Sequence, residues 1–162
     1  MKLSYLKGFS FGLTSAIITT LGLIVGLDSG THSKLAVLGG ILTIAVADAF
    51  SDALGTHISE EAENQHTVKE IWESTLGTFI AKFVFALTFV PSILLFSNLA
   101  NAIYVDVAWG LSVLALISFF MARDQKKPVL DVMGEHVGIA AIVIFLTHFL
   151  GEWISYTFGA IV

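Results

Sequence analysis

The stretch that decides the fold is Thr43–Glu63, TIAVADAFSDALGTHISEEAE. It begins inside an apolar run and nevertheless carries Asp48 and Asp52. A charged side chain at the centre of a bilayer costs about 3 kcal/mol on insertion scales, so two of them need a function or a partner. Because residues four apart share a helix face, both acids lie on one polar stripe. The stripe continues through Thr56 and Ser59 to Glu63. Such a stripe is typical of a cation pathway or of a packed polar interface.

The composition indicates a membrane protein. Of the 162 residues, 56% are hydrophobic and 13% are charged, whereas soluble domains are about 25% charged. Apolar runs of about 20 residues are long enough to cross a bilayer. Five occur here, at roughly 8–27, 35–55, 77–97, 104–122 and 129–158. We therefore expect an all-α integral membrane protein, with residues 1–162 forming one membrane domain of about five transmembrane helices.

Charge and cysteine content exclude some partners and cofactors. The net charge of −5 argues against a nucleic-acid partner, and the bilayer is the partner that the apolar runs imply. The chain has no cysteine, which excludes disulfides and thiolate metal sites.

A polar segment, 56–76, separates the second and third apolar runs. It is predicted to form a short amphipathic acidic helix on the cytosolic membrane surface. Its carboxylates and imidazole recur every three or four residues, at Glu60, Glu63, His66, Glu70 and Glu73. Side chains of these types at this spacing can hold Fe²⁺, Mn²⁺ or Zn²⁺. A solvated acidic face explains the same pattern, and only the neighbouring Asp48 and Asp52 favour metal binding.

The positive charges predict how the chain is oriented. With five spans, most of them fall on one side: Lys2, Lys7, Lys69, Arg123, Lys126 and Lys127. Because positive loops stay in the cytosol, we expect a cytosolic N-terminus and a C-terminus on the opposite side. The expected location is an integral position in a plasma membrane or an organelle membrane.

The first span carries a stripe of small residues. Spacings of three and four place Gly8, Gly12, Ser15, Thr19, Gly22 and Gly26 on one helix face. Such a stripe lets a second helix approach closely. That second helix belongs either to the same chain or to another copy, which would make a homodimer through helix 1.

The third span contains two residues that disturb an apolar helix. Lys82 lies inside it, where its ammonium either reaches the cytosolic headgroups or pairs with a buried acid. Pro91 removes one backbone hydrogen bond and is expected to kink the helix.

The fifth span repeats the acidic pattern of the second. Asp131, Glu135 and His136 lie near its start, in the same predicted half of the membrane as Asp48 and Asp52. We expect these groups to share a hydrated cation site, unless Asp131 and Glu135 reach headgroup water instead. Farther along, His148 and Glu152 are four residues apart and form a candidate outer-side proton relay. A hydrogen-bonded interior histidine is the plainer interpretation of His148.

Two stretches resemble a known family. Val46-Ala-Asp-Ala-Phe-Ser-Asp-Ala-Leu-Gly-Thr-His-Ile-Ser59 and Thr19-Thr-Leu-Gly-Leu-Ile-Val-Gly26 are similar to the second-helix and first-helix patterns of the vacuolar iron transporter family. The resemblance implies a dimeric exporter that moves Fe²⁺ or Mn²⁺ out of the cytosol in exchange for protons. In a gapless match the family's aspartate, methionine and glutamate fall on Ser15, Asp52 and Thr56. Loss of the soft methionine ligand favours a hard cation such as Mn²⁺.

These observations predict a divalent metal transporter with no permanent cofactor, in which the metal ion is the substrate. Asp48 and Asp52 would bind the ion, with Thr56 and Ser15 beside the pathway. The rival interpretation is a membrane-embedded binding or scaffold module that transports nothing. Enzymatic activity is not expected, because no hydroxyl nucleophile is recognisable beside a base and the ExxH pair Glu63–His66 lacks the second ExxH of a di-iron bundle.

Overall fold

The computed structural model describes residues 3–159, and that part of the chain contains helices and turns but no strand. Its helices are α1 (Leu3–Thr31), α2 (Lys34–Glu63), α3 (Val68–Leu87), α4 (Val90–Leu95), α5 (Leu99–Asp124) and α6 (Val129–Phe158). When α3 and α4 are taken as one stretch, Val68–Leu95, five helical stretches are long and apolar enough to cross a membrane. The prediction of an all-α chain with five such helices is confirmed. Lys2 lies outside the described residues, and the orientation stays a prediction.

The outward faces of the helices carry apolar side chains, whereas the outward faces of helices in soluble proteins are polar. In the most apolar window of α6 only 6% of the residues are buried inside the chain, and Phe145 and Leu150 are among the exposed side chains. A soluble monomer does not leave an apolar surface of this size in water. The outward faces are therefore suited to lipid.

Specific residues end the long helices. His32 directly follows α1, Asn64 directly follows α2, and both have the left-handed backbone conformation, with φ of 49° and 50°. A left-handed residue after the last helical turn is a common way to stop a helix. Thr67 then begins α3 through a capping box, in which its side chain and that of Glu70 bond to each other's backbone N–H groups.

The acidic segment between spans two and three differs from the prediction. No separate surface helix occupies residues 56–76, because α2 continues to Glu63 and α3 begins at Val68. Nothing before Asn64 breaks the helix, so the segment is divided between the ends of two long helices. As a result, Asp48 lies at the midpoint of a 30-residue helix, and Asp52 lies one turn nearer its end.

The third span is interrupted two residues before its proline. The N–H groups of Thr88 and Phe89 bond to carbonyls three residues back, at 3.0 and 3.4 Å, which ends α3. Pro91 lies in the first turn of α4. Backbone N–H groups in the first turn of a helix make no hydrogen bond within that helix, so a proline there breaks none. The expected disturbance at Pro91 is therefore present as a break between two helices.

The chain divides into two compact units. Among the described residues, the first contains 3–16 and 41–89, and the second contains 17–40 and 90–159. In the first, a Cβ at Gly8 or Gly12 would collide with the backbone carbonyl of Ser74 or Thr78 in α3. In the second, a Cβ at Gly22 would lie 2.8 Å from Val143 of α6.

The small-residue stripe of α1 is thus used for packing within the chain, which is the first of the two interpretations given above. Gly22, Gly26 and Thr19 also line an apolar groove of about 440 Å³ in the second unit. A homodimer through helix 1 stays a prediction.

Candidate functional site: a lysine between two aspartates

A buried lysine joins the two aspartates of α2 in the first unit. The ammonium of Lys82 in α3 lies 2.6 Å from Asp48 and forms a second ion pair with Asp52. The lysine side chain is 2% exposed, whereas the aspartates are 26% and 22% exposed. Of the two predicted placements of Lys82, pairing with an acid is the one observed, and the acids it pairs with are partly exposed.

Ser15 completes the cluster from a third helix. Its hydroxyl accepts a hydrogen bond from Lys82 at 2.8 Å and donates one to Asp52 at 2.7 Å. The hydroxyl therefore fills both of its roles between a cation and an anion. α1, α2 and α3 each contribute at least one member, so the geometry depends on how all three pack.

Small residues let these helices approach. Ala45 and Ala49 of α2 and Ala81 of α3 are fully or almost fully buried on the faces that neighbour the cluster. Short side chains at a helix interface bring the backbones close together. Lys82 of α3 thereby reaches Asp48 and Asp52 of α2.

The cluster carries one more negative charge than positive charge when all three groups are ionised. Charges inside a membrane-spanning bundle are costly unless paired, and they are most often functional. One ammonium cannot neutralise two carboxylates. Both aspartates are partly exposed, so water or a small cation can reach the edge of the cluster.

A line of polar side chains runs from this cluster to the α2–α3 turn; we call it the polar seam. It consists of Asp48, Asp52, Thr56 and Glu60 of α2, Lys82, Thr78 and Ser74 of α3, and Ser15 and Lys7 of α1. The hydroxyls of Thr56 and Thr78 are 3.2 Å apart, and Thr78 donates to the carbonyl of Gly8 at 3.1 Å. With a helical rise of 1.5 Å per residue, the seam from Asp48 to Glu60 is about 18 Å long.

Glu60 ends the seam as a buried carboxylate that is paired with an exposed lysine. Its side chain is 2% exposed and lies 2.7 Å from the ammonium of Lys7, while Ser74 donates to it at 3.3 Å. A cavity of about 250 Å³ adjoins Thr56 and Ser59 at this end of the seam. The polar seam therefore has room for water beside its outer half.

The predicted metal ligands near the turn are partly brought together. The His66 ring lies 3.4 Å from Glu60 and 3.2 Å from Glu63, whereas Glu70 is engaged in the cap of α3 and Glu73 is half-buried. Within residues 3–159, no three His, Asp or Glu side chains are arranged to hold a metal ion. Metal binding by this group stays a prediction.

The candidate residues of α6 belong to the second unit. Asp131 and Glu135 are exposed, and His136 shares a hydrogen bond of 2.8 Å with Ser118 of α5. Their part in a shared cation site stays a prediction.

The pair near the other end of α6 is present and includes a third member. His148 lies 3.5 Å from Glu152, and its second ring nitrogen is 2.6 Å from the hydroxyl of Ser29 in α1. No spacing rule connects Ser29 to a residue more than a hundred positions away, so the sequence could not reveal this contact. No hydroxyl was recognisable beside a base in the sequence, whereas in the structure the Ser29 hydroxyl lies beside the His148 ring. An oxyanion hole needs free backbone N–H groups. Ser29 lies inside α1, where the helical hydrogen bonds already use those N–H groups.

The second unit also buries a carboxylate that the sequence did not single out as functional. Asp106 of α5 is 1% exposed and accepts a hydrogen bond from Ser92 of α4. This contact connects α5 to the short helix that follows the break at Thr88.

No protein-family model matches this chain, and neither does any curated protein. The similarity to the vacuolar iron transporter family therefore rests on the residues quoted for it. Two of the three positions where the chain departs from that family, Ser15 and Asp52, contact each other and Lys82. The third, Thr56, lies one turn farther along the same seam.

Proposed function

We propose that this protein is a proton-coupled transporter of divalent metal cations, Mn²⁺ or Fe²⁺, that exports them from the cytosol. The observation that carries the proposal is the lysine held between two aspartates halfway along a membrane-spanning helix. An uneven charge cluster at this depth is costly to keep for packing alone. It is well suited to exchanging one cation for another.

The charges suggest how exchange is coupled. With both carboxylates ionised and Lys82 protonated, the cluster has a net charge of −1. A divalent ion that replaces the ammonium between Asp48 and Asp52 leaves the cluster neutral once Lys82 has lost its proton. Because a net charge in a low-dielectric interior is unfavourable, metal binding and proton loss favour each other.

The polar seam supplies a route between the cluster and the membrane surface. With a cytosolic N-terminus, Lys7 and the α2–α3 turn lie on the cytosolic side. A metal ion would meet Glu60, Glu63 and His66 first and would then pass Thr56 on its way to the aspartates. The ligands along this route are oxygen and imidazole groups, which suit Mn²⁺ and Fe²⁺.

The test is Mn²⁺ uptake into proteoliposomes that have an acidic lumen. Wild-type protein should take up Mn²⁺ faster with the proton gradient than without it. Asp52→Asn should reduce uptake to the level of protein-free liposomes, because it removes one of the two ligands. The matched control is Asp124→Asn, an exposed carboxylate at the end of α5, which should transport like wild type.

A second candidate function is a membrane scaffold that transports nothing. It is favoured by the closure of the cluster, since Lys82 contacts both aspartates directly. The scaffold predicts that Mn²⁺ leaves the thermal unfolding midpoint in detergent unchanged. The transporter predicts a rise that Asp52→Asn abolishes, because a ligand that binds only the folded state stabilises it.

A further inference from the structure

The second unit contains a large cavity that the cation route does not use. The cavity has a volume of about 840 Å³, is lined by residues of α1, α5 and α6 and is open on one side. Ligand pockets in proteins are typically about 300–1,000 Å³. The space is therefore suited to a whole organic molecule instead of a single ion.

Polar and apolar side chains line different depths of this cavity. The apolar wall is formed by Val107, Leu111, Ile144 and Phe145. The polar part of the lining, which we call the rim, lies in the C-terminal halves of α1 and α6 and in the turn after α1: Asp28, Ser29, His32, His148 and Glu152. Because α1 and α6 end at Thr31 and Phe158, the polar groups lie nearer the helix ends than the apolar ones. Such a gradient fits an amphiphile with its tail inside and its head group at the rim.

The charged side chains at the rim favour a positively charged head group. Asp28 and Glu152 contribute two carboxylates, and of the described residues that line the cavity none is a lysine or an arginine. Tyr104 and Tyr156 also line it, and aromatic faces attract organic ammonium groups. An anionic head group would meet the carboxylates with no lysine or arginine of the described lining to offset their charge.

The length of the cavity limits the tail. On α5 the lining runs from Ala100 to Leu111, about 16 Å along the helix. An extended alkyl chain advances about 1.25 Å per bond, given a C–C length near 1.5 Å. A chain of about twelve carbons fits within this length.

We propose that this cavity binds a lipophilic monovalent ammonium cation with a single alkyl chain. None of the described cavity residues belongs to the polar seam, while His148 and Glu152 are also the pair predicted above as an outer-side proton relay. The hydroxyl of Ser29 lies 2.6 Å from one ring nitrogen of His148, and this ring lies beside Glu152. A bilayer lipid with an ammonium head group has related chemistry, and the experiment separates the two sources.

The test uses dodecyltrimethylammonium and isothermal titration calorimetry on the full-length protein in zwitterionic nanodiscs, with empty nanodiscs as the blank. Wild type should show one saturable site for this cation and none for dodecyl sulfate, which has the same chain and the opposite charge. Equal binding of both amphiphiles would refute the assignment. If raising the fraction of the two-chain lipid phosphatidylcholine in the nanodiscs abolishes saturable binding of dodecyltrimethylammonium, the cavity is a bilayer-lipid site. That result would overturn the single-chain proposal.

Two sets of variants locate the site. The double variant Asp28→Asn/Glu152→Gln should weaken ammonium binding about tenfold or more, because two attractive charges are removed. Its control, Glu61→Gln/Asp124→Asn, removes the same charge from exposed positions and should bind like wild type. Equal affinity in the two double variants would contradict the proposal.

A cavity-filling variant keeps the proposal testable if the charge variant fails to fold. Ala141 lines the wall and is exposed, so Ala141→Phe fills the space without entering the packed core. It should abolish saturable binding, whereas Ala47→Phe, at an exposed position of α2, should not. Unchanged binding by a folded Ala141→Phe protein would place the ligand elsewhere.

Discussion

Replacing Lys82 by methionine tests whether the cluster is held together by charge. Methionine keeps most of the buried apolar stem and removes the ammonium, so Asp48 and Asp52 lose their shared cation. Removing one partner of a buried ion pair typically costs about 3–5 kcal/mol. Here both aspartates are about a quarter exposed, and water compensates part of the loss. We therefore expect Lys82→Met to lower the free energy of unfolding by about 2–4 kcal/mol.

The attribution to charge follows from a rescue experiment. If repulsion between unpaired carboxylates causes the loss, Asp48→Asn/Asp52→Asn/Lys82→Met should recover most of it, with a coupling energy of about 1–3 kcal/mol. Unfolding can be followed by tryptophan fluorescence in mixed micelles with increasing dodecyl sulfate. The control Lys69→Met removes an exposed lysine near the start of α3 and should change stability by less than about 0.5 kcal/mol. A Lys82→Met protein as stable as wild type, or a triple variant as unstable as the single one, would refute the reasoning.

Two further predictions concern packing and burial. Gly12→Ala should destabilise the protein by about 1–3 kcal/mol, because the added Cβ meets the Thr78 carbonyl. The control Gly39→Ala, whose added Cβ has no atom nearby, should be neutral or slightly stabilising. Equal thermal midpoints for the two variants would contradict the packing of α1 on α3. Asp106→Asn should raise the thermal midpoint of unfolding, because one oxygen of this buried carboxylate has no hydrogen-bond partner. A neutral amide costs less free energy to bury than a charged carboxylate. A lower midpoint would show that the hydrogen bond from Ser92 requires the ionised carboxylate.

The helices could be predicted from the sequence because their signal is local. Apolar runs of bilayer length predicted five spans, and five such helical stretches are present. The observed helix ends differ from the predicted ones where an apolar run passes into a polar turn. The surface helix over 56–76 was wrong for a physical reason: amphipathic periodicity does not distinguish a separate helix from the continuation of a neighbouring one. Asn64 and the Thr67 capping box decide that point, and they favour two long helices.

The site could be predicted in part. Asp48 and Asp52 were recognisable because charge inside an apolar run is rare, and Lys82 was recognisable for the same reason. Their convergence with Ser15 depends on how α1, α2 and α3 pack, which periodicity does not encode. Ser29 is an ordinary small residue in sequence, and only the fold places it against His148.

In the proposed transport cycle, a metal ion and protons compete for the cluster formed by Asp48, Asp52 and Lys82. The most direct measurement is the pH inside liposomes loaded with a fluorescent pH indicator while Mn²⁺ is added outside, with wild-type protein and Asp52→Asn reconstituted at equal density. We predict that Mn²⁺ makes the lumen of wild-type liposomes more alkaline as protons leave, and that Asp52→Asn liposomes do not respond. A proton flux that is the same in both, or no flux with wild type while Mn²⁺ enters, would contradict the account.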